Sequence, residues 1–252
     1  NKTITIIEDE KNKGQNSELY WYRSTYAPRN IKGYSLRIFD NILNSVNLSS
    51  LEKSIKTIDK SGVLRKAIKD NLKEHLNTIR IVERDLIEKI SEASKIISKS
   101  LKMGGTIFWC GKGGSAADSM HLSAELIGRF KKNRIPLKSI SLSGNPSTIT
   151  CISNDFGYES LFSRQIQALG KKDDVLIVIS TSGNSKNIIK AINQAKINKL
   201  KVISFLGNKG GRCKGKGYLD LIVNSHSTAR IQESHIMIGH IICELVEKEL
   251  KI

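Results

Sequence analysis

The run from Val175 to Ser185, VLIVISTSGNS, constrains the fold more than any other stretch of the chain. Val175, Leu176, Ile177, Val178 and Ile179 are apolar without alternation, which predicts a strand buried on both faces, as in a parallel sheet covered by helices. The strand stops in a hydroxyl-rich turn, where Ser180, Thr181, Ser182 and Ser185 surround Gly183 and Asn184. Asn184 is placed to cap a following helix, traced by Ile188, Ile189, Ala191, Ile192 and Ala195. A strand end that feeds a helix amino terminus collects unpaired N–H groups and the positive end of the dipole, so the turn reads as a phosphate cradle. An ordinary turn with a helix cap explains the same residues. No Gly-Lys-Ser/Thr closes the loop and no GxGxxG is present, so a nucleotide site of either common kind is disfavoured.

The surrounding pattern extends the single strand to a sheet. Helical periodicity runs from Leu64 to about Leu101, which fits one or two long amphipathic helices that need an apolar partner in their own domain or in another copy of the chain. Strands are predicted at Thr106 to Trp109, Ser139 to Leu142, Val175 to Ile179, Lys201 to Leu206 and Leu219 to Val223. Between them lie helical segments at Pro146 to Ser153 and Glu159 to Leu169, with NDFGY as a loop, and a last helix from about Arg230. Alternating strands and helices imply an α/β fold with about five parallel strands, in which ligands bind beyond the carboxyl ends of the strands.

The 252 residues suffice for one domain with appendages or at most two. Residues 1–61 stand apart as an arm or appended segment, with Tyr20, Trp21, Tyr22, Tyr26, Tyr34 and Phe39 set between polar runs, and residues 62–252 form the main unit, helices over 62–102 and the α/β core over 103–252. Lys and Arg outnumber Asp and Glu by 41 to 24, a net +17 that favours anionic partners. The lysines are scattered rather than gathered in a stripe, so no nucleic-acid partner is expected. Cys110, Cys151, Cys213 and Cys243 form no CxxC pair, which points to neither a zinc ribbon nor a disulfide framework and favours a reducing compartment. No apolar run approaches the roughly 18 residues of a membrane span and no signal-peptide pattern opens the sequence, so a cytoplasmic protein with no membrane partner is expected.

Two further constellations carry chemistry. In GKGGSAADSMHLSAELIGRF, Gly111, Gly113 and Gly114 allow close backbone approach to a ligand, and Ser115 offers a hydroxyl at a helix start. On that helix His121 and Glu125 are spaced i, i+4 and share a face, an arrangement that can hold a zinc ion or act as an acid/base pair. Asp118 reads as a partner of the helix dipole. The last helix carries Gln232, Glu233, His235, His240, Glu244 and Glu247. Such a polar set commonly forms a wetted face, but isoleucines surround His240, so it is expected to be partly buried and partnered.

Taken together, GKGGSAADSMHLSAELIGRF, NDFGY, ISTSGNS and RIQESHIMIGH resemble the sugar isomerase (SIS) domain, and within it the phosphoheptose isomerases, over residues from about 62 to 252. The resemblance implies a flavodoxin-like three-layer sandwich and conversion of sedoheptulose 7-phosphate to glycero-manno-heptose 7-phosphate for heptose-containing surface glycans such as lipopolysaccharide or capsule. It implies about one zinc ion per subunit on His121, Glu125, Gln232 and His240, with Glu125 as general base and His240 as general acid. Lys112, Gly113, Gly114, Ser115, Arg129, Asn154, Asp155, Ser180, Thr181, Ser182, Ser185 and Gln232 would contact the phosphorylated ketoheptose, and the protein would be a homotetramer. The family's Asn before Gly-Gly-Ser is Lys112 here, and the Asp that usually precedes Arg-Ile-Gln is Ala229. The competing reading is a non-enzymatic relative of the replication-initiator-associating type, which shares the Ala but lacks the carboxylate and imidazole found here at Glu125 and His240. A sugar-phosphate-sensing regulator is a third possibility, but it has no need of that pair.

Overall fold

A computed structural model describes residues 62–252, so the expectations for residues 1–61 fall outside the described part of the chain. Six α-helices and five strands follow one another: α1 (Val63–Lys102), β1 (Ile107–Cys110), α2 (Gly114–Ile127), β2 (Ser139–Ser141), α3 (Pro146–Phe156), α4 (Leu161–Leu169), β3 (Val175–Ser180), α5 (Lys186–Ile197), β4 (Lys201–Gly207), β5 (Leu219–Val223) and α6 (Thr228–Leu250). All strand pairs are parallel and the order is β2-β1-β3-β4-β5. The chain therefore moves to one side of β1 and then back to the other, which puts the reversal between β1 and β3, where open α/β sheets bind ligands.

Every residue of β3 is buried, as its unbroken apolar run demands. Successive side chains enter two cores, because alternate residues of a strand face opposite ways. Ile177 and Ile179 pack with Val82, Leu86, Ile90, Ala93 and Ile97 of α1, Leu122 and Leu126 of α2, and Ile231, Ile238 and Ile242 of α6. Leu176 and Val178 pack with Ile152 of α3, Leu161, Phe162 and Ile166 of α4, and Ile188, Ala191 and Ile192 of α5. Three helices thus cover each face, giving a three-layer sandwich.

The long amphipathic stretch is a single helix of 40 residues. Its carboxyl half is covered by the sheet, whereas Ile68, Leu72 and Leu76 near its start remain 61%, 60% and 57% exposed. Element ends differ from the sequence reading in two places that matter for the site. NDFGY is not a loop: α3 continues through Asn154, Asp155 and Phe156, and the stop comes at Gly157 with φ 77°. Asn and Asp disfavour helix interiors because they compete for backbone hydrogen bonds, but in the last turn that cost is small. The second difference is the cap of α5. Ser185 occupies the N-cap without a side-chain bond, and the Asn184 side chain instead accepts a hydrogen bond from Arg212 N at 3.0 Å.

Candidate active site

The turn after β3 is stabilised from within and from beside. Ser180 is buried and its Oγ accepts from Gly183 N at 3.1 Å, while Ser182 Oγ accepts from Asn184 N at 3.2 Å. Gly183 has φ 63°, and a Cβ there would run into the carbonyl of Gly210. No other residue type fits, because the position combines a left-handed backbone with backbone packed against it. Cys213 N donates to Gly183 O at 2.9 Å. The glycine-rich segment Gly207–Cys213 is therefore a buttress for the serine-threonine turn, a role that its sequence did not announce.

On the other side of the reversal, β1 ends at Cys110 and α2 starts after Gly113, the N-cap. Ser115 is buried at the start of α2. Ser143, from the loop after β2, accepts from Gly111 N at 3.3 Å and donates to Gly111 O at 3.0 Å, fixing the peptide from which the glycine loop departs. Gln232 of α6 lies directly over Gly114, where any β-carbon would collide with its amide. Lys112 is exposed beside this loop.

Farther along α2, His121 and Glu125 meet His240 of α6. His121 Nε2 lies 3.1 Å from Glu125 Oε1 and 3.2 Å from His240 Nε2, and one ligand atom from each of the three residues falls within 4.8 Å of the others. Two imidazole nitrogens and a carboxylate oxygen so close together need a proton or a cation among them, since lone pairs alone repel. In a tetrahedral zinc site with bonds of about 2.0–2.1 Å, ligand atoms stand roughly 3.3 Å apart, so the donor set and its spacing fit such an ion. Phe130 stacks on His240 with ring centroids 5.5 Å apart and an interplanar angle of 19°. Burial, followed by the neighbouring His121 charge, holds the His240 imidazole below its ordinary value, and Glu125 opposes them.

Among the described residues, the other predicted ones make no hydrogen bond to this cluster. Gln232 is eight residues before His240 on α6, roughly 12 Å of helix rise, and its amide lies over Gly114. Asn154 and Asp155 are exposed at the end of α3, hydrogen-bonded to each other at 2.8 Å. Arg129 is exposed just after α2. Asp118 lies more than one turn into α2, where burial pushes its carboxyl up to about 6 and leaves Oδ2 without a partner, so it is poorly placed to serve the helix dipole. Nor do the polar residues of α6 form one wetted face: His235 and Glu247 are both buried. His235 Nε2 lies 3.1 Å from Leu206 O, and burial pushes its imidazole down to about 4.

Residues 71–207 match the family model of the SIS domain. A phosphoheptose isomerase of Leptospira biflexa is 48% identical over 167 residues, which cover 66% of this chain and 86% of that protein. The chain belongs to the phosphoheptose isomerase branch of the SIS domain family. Solved structures agree: a phosphoheptose isomerase of Neisseria gonorrhoeae superposes with a TM-score of 0.69 at 35% identity, covering 74% of this chain and all of that one. A phosphoheptose isomerase from Francisella tularensis gives 0.71 at 32% identity, covering 74% and 99%. The SIS domain framework accounts for the three-layer sandwich and for the strand order.

Within that SIS framework, the residues hardest to find from sequence are Phe130, Ser143, Gly210 and Gly211. Each lies outside the α-helices and strands, where no periodicity marks it, and each acts on a site residue through the fold. Among the described residues no helix is long and apolar enough to cross a membrane.

Proposed function

We propose that the chain is an aldose-ketose isomerase that converts sedoheptulose 7-phosphate to D-glycero-D-manno-heptose 7-phosphate. The observation that carries this reading is the meeting of Glu125, His121 and His240 from two helices, in a chain nearly half identical to phosphoheptose isomerases. Moving a carbonyl between C1 and C2 requires one carbon-bound proton to leave and another to arrive nearby, through an enediol. Glu125 takes the proton as a carboxylate. His240, half-buried under Phe130, donates in return. The substrate phosphate would sit in the Ser180–Ser185 turn, with Thr181, Ser182 and Ser185 as hydroxyl donors, supported by Ser115 and the Gly113–Gly114 peptides. Holding the far end of the substrate supplies binding energy away from the reacting carbons. About 10 Å of helix rise separates Gly114 from His121, which suits an extended seven-carbon chain better than a triose.

A zinc ion on His121, Glu125 and His240, when bound, would supply positive charge to the oxygen that becomes negative in the enediol. Gln232 would join it as a fourth ligand by turning its amide toward His240; over Gly114 the same amide is placed to touch the sugar. Lys112, Arg129, Asn154 and Asp155 are proposed as further substrate contacts, a homotetramer as the assembly, and the cytoplasm as its place of action, in support of a heptose-containing surface glycan. The exposed apolar stripe Ile68, Leu72 and Leu76 supports association of copies. A non-enzymatic binding role leaves the Glu125 and His240 pairing without purpose.

Conversion of sedoheptulose 7-phosphate, followed by NMR with and without added zinc, tests the reading. Turnover that disappears with Glu125→Gln in a folded protein is the expected result. A wild-type protein inert toward this substrate at every zinc concentration refutes it.

A further inference from the structure

We propose that Glu247 and Arg134 are positioning residues for the isomerisation, a buried ion pair that ties the loop after α2 to α6 and thereby sets Glu125 and His240 against each other. The inference deepens the isomerase reading and rests on it for the reaction that it serves.

Glu247 lies seven positions after His240 on α6, close to two helical turns, so both project from nearly the same face. The Glu247 side chain is 2% exposed and that of Arg134 is 1% exposed. Glu247 Oε1 accepts from Arg134 Nε at 2.9 Å and from Phe130 N at 3.2 Å. Its other oxygen accepts from Lys131 N at 3.2 Å and Lys132 N at 3.3 Å. Three successive N–H groups thus point at one carboxylate, a backbone nest for an anion. The remaining guanidinium nitrogens of Arg134 turn the opposite way. Nη2 donates to the carbonyl of Glu125 at 2.8 Å, and Nη1 donates to the carbonyl of Leu126 at 2.9 Å and to that of Ile135 at 3.1 Å. Glu125 and Leu126 belong to the last turn of α2, where carbonyls have no partner within the helix.

The pair therefore reaches both proposed proton-transfer groups without touching substrate. Through Arg134 it holds the backbone of Glu125. Through Glu247 it holds the peptide of Phe130, whose ring lies on His240. An ion pair sealed from water in this way gains little stability over apolar residues of the same bulk, because the cost of desolvating both charges offsets their attraction. What it provides beyond them is direction: charged, forked hydrogen bonds fix a loop far more narrowly than dispersion contacts do. An error of about 1 Å between acid and base is enough to slow proton transfer strongly.

The test compares wild type, Glu247→Gln, Phe130→Leu and Lys131→Ala, the last removing only the exposed pair between Lys131 Nζ and Glu244. Steady-state turnover of sedoheptulose 7-phosphate is measured beside the ring-proton resonances of His240, which report the Phe130 stack without substrate. Glu247→Gln is expected to lower kcat about tenfold with KM within about twofold of wild type. It is also expected to move the His240 resonances toward their positions in Phe130→Leu, while Lys131→Ala changes neither. Wild-type kcat in a folded Glu247→Gln protein overturns the proposal, and so does lost turnover with unmoved His240 resonances. Should Glu247→Gln not fold, the double variant Arg134→Met with Glu247→Met removes both charges together, and the same two outcomes decide. If wild type itself does not turn over the heptose phosphate, the isomerase reading falls, whereas the His240 resonances still test the clamp.

Discussion

The turn after β3 is held by backbone against backbone, with Gly183 seated on Gly210 and bonded to Cys213, whereas the His121, Glu125 and His240 cluster is held by side chains whose sequence positions span 119 residues. The first kind of construction tolerates changes of side chain but not the addition of a Cβ. The second tolerates small shifts of the main chain poorly, because three donor atoms must converge. A phosphate needs only N–H and O–H groups aimed at a fixed point, so a rigid peptide frame serves it. Proton transfer needs groups whose charge can change, and only side chains provide those.

Four measurements break or sharpen this contrast. The largest effect belongs to His240→Gln, which should reduce kcat by about a thousandfold, on the order of 4 kcal/mol in transition-state terms, with the fold intact by circular dichroism. Next is the acid response of His235, beneath the backbone-built side. Its imidazole titrates near 4 when folded and near 6.5 in an unfolded chain, so the unfolded state binds more protons between those values. Stability contributed by the neutral form is therefore complete above about pH 6.5 and falls as the pH drops towards 4, by roughly 3 kcal/mol at most. Urea melts across that range should show the slope, and His235→Leu should flatten it. Gly183→Ala should destabilise the protein by about 2 kcal/mol through the positive φ and the collision with Gly210, read as a lowered urea midpoint. The smallest effect is expected from Ser182→Ala, which should raise KM for the heptose phosphate about tenfold or less and leave kcat within about twofold. A fall in kcat with KM unchanged would show that the two ends are not separate devices.

The same division governs what could be read from the chain before its structure. The strands were legible because β3 is apolar from Val175 to Ile179, and strands alternating with helices imply the sandwich. His121 and Glu125 were legible because helical spacing alone puts them on one face. His240 needed the family resemblance, since no local rule connects it to a helix so far back in the chain. Glu247 belongs to a polar set of the kind that commonly forms a wetted face, yet it is buried. Nothing in HIICELVEKEL marks it as buried, because the groups that neutralise it come from Phe130 to Arg134, a loop with no periodicity. Asn184 misled in a related way: its residue type favours a cap, but the nearby Gly211–Cys213 turn offered its amide a better donor.

Helix α6 carries Gln232 at the glycine loop, His240 at the cluster and Glu247 beneath it. A rod that serves three stations has a fixed pitch, so inserting or deleting one residue between Gln232 and His240 would swing everything downstream by about 100°. A change of side chain along this segment leaves the stations where they are, but its length is tuned like the teeth of a key, and a length change there should mark a copy that has left this chemistry.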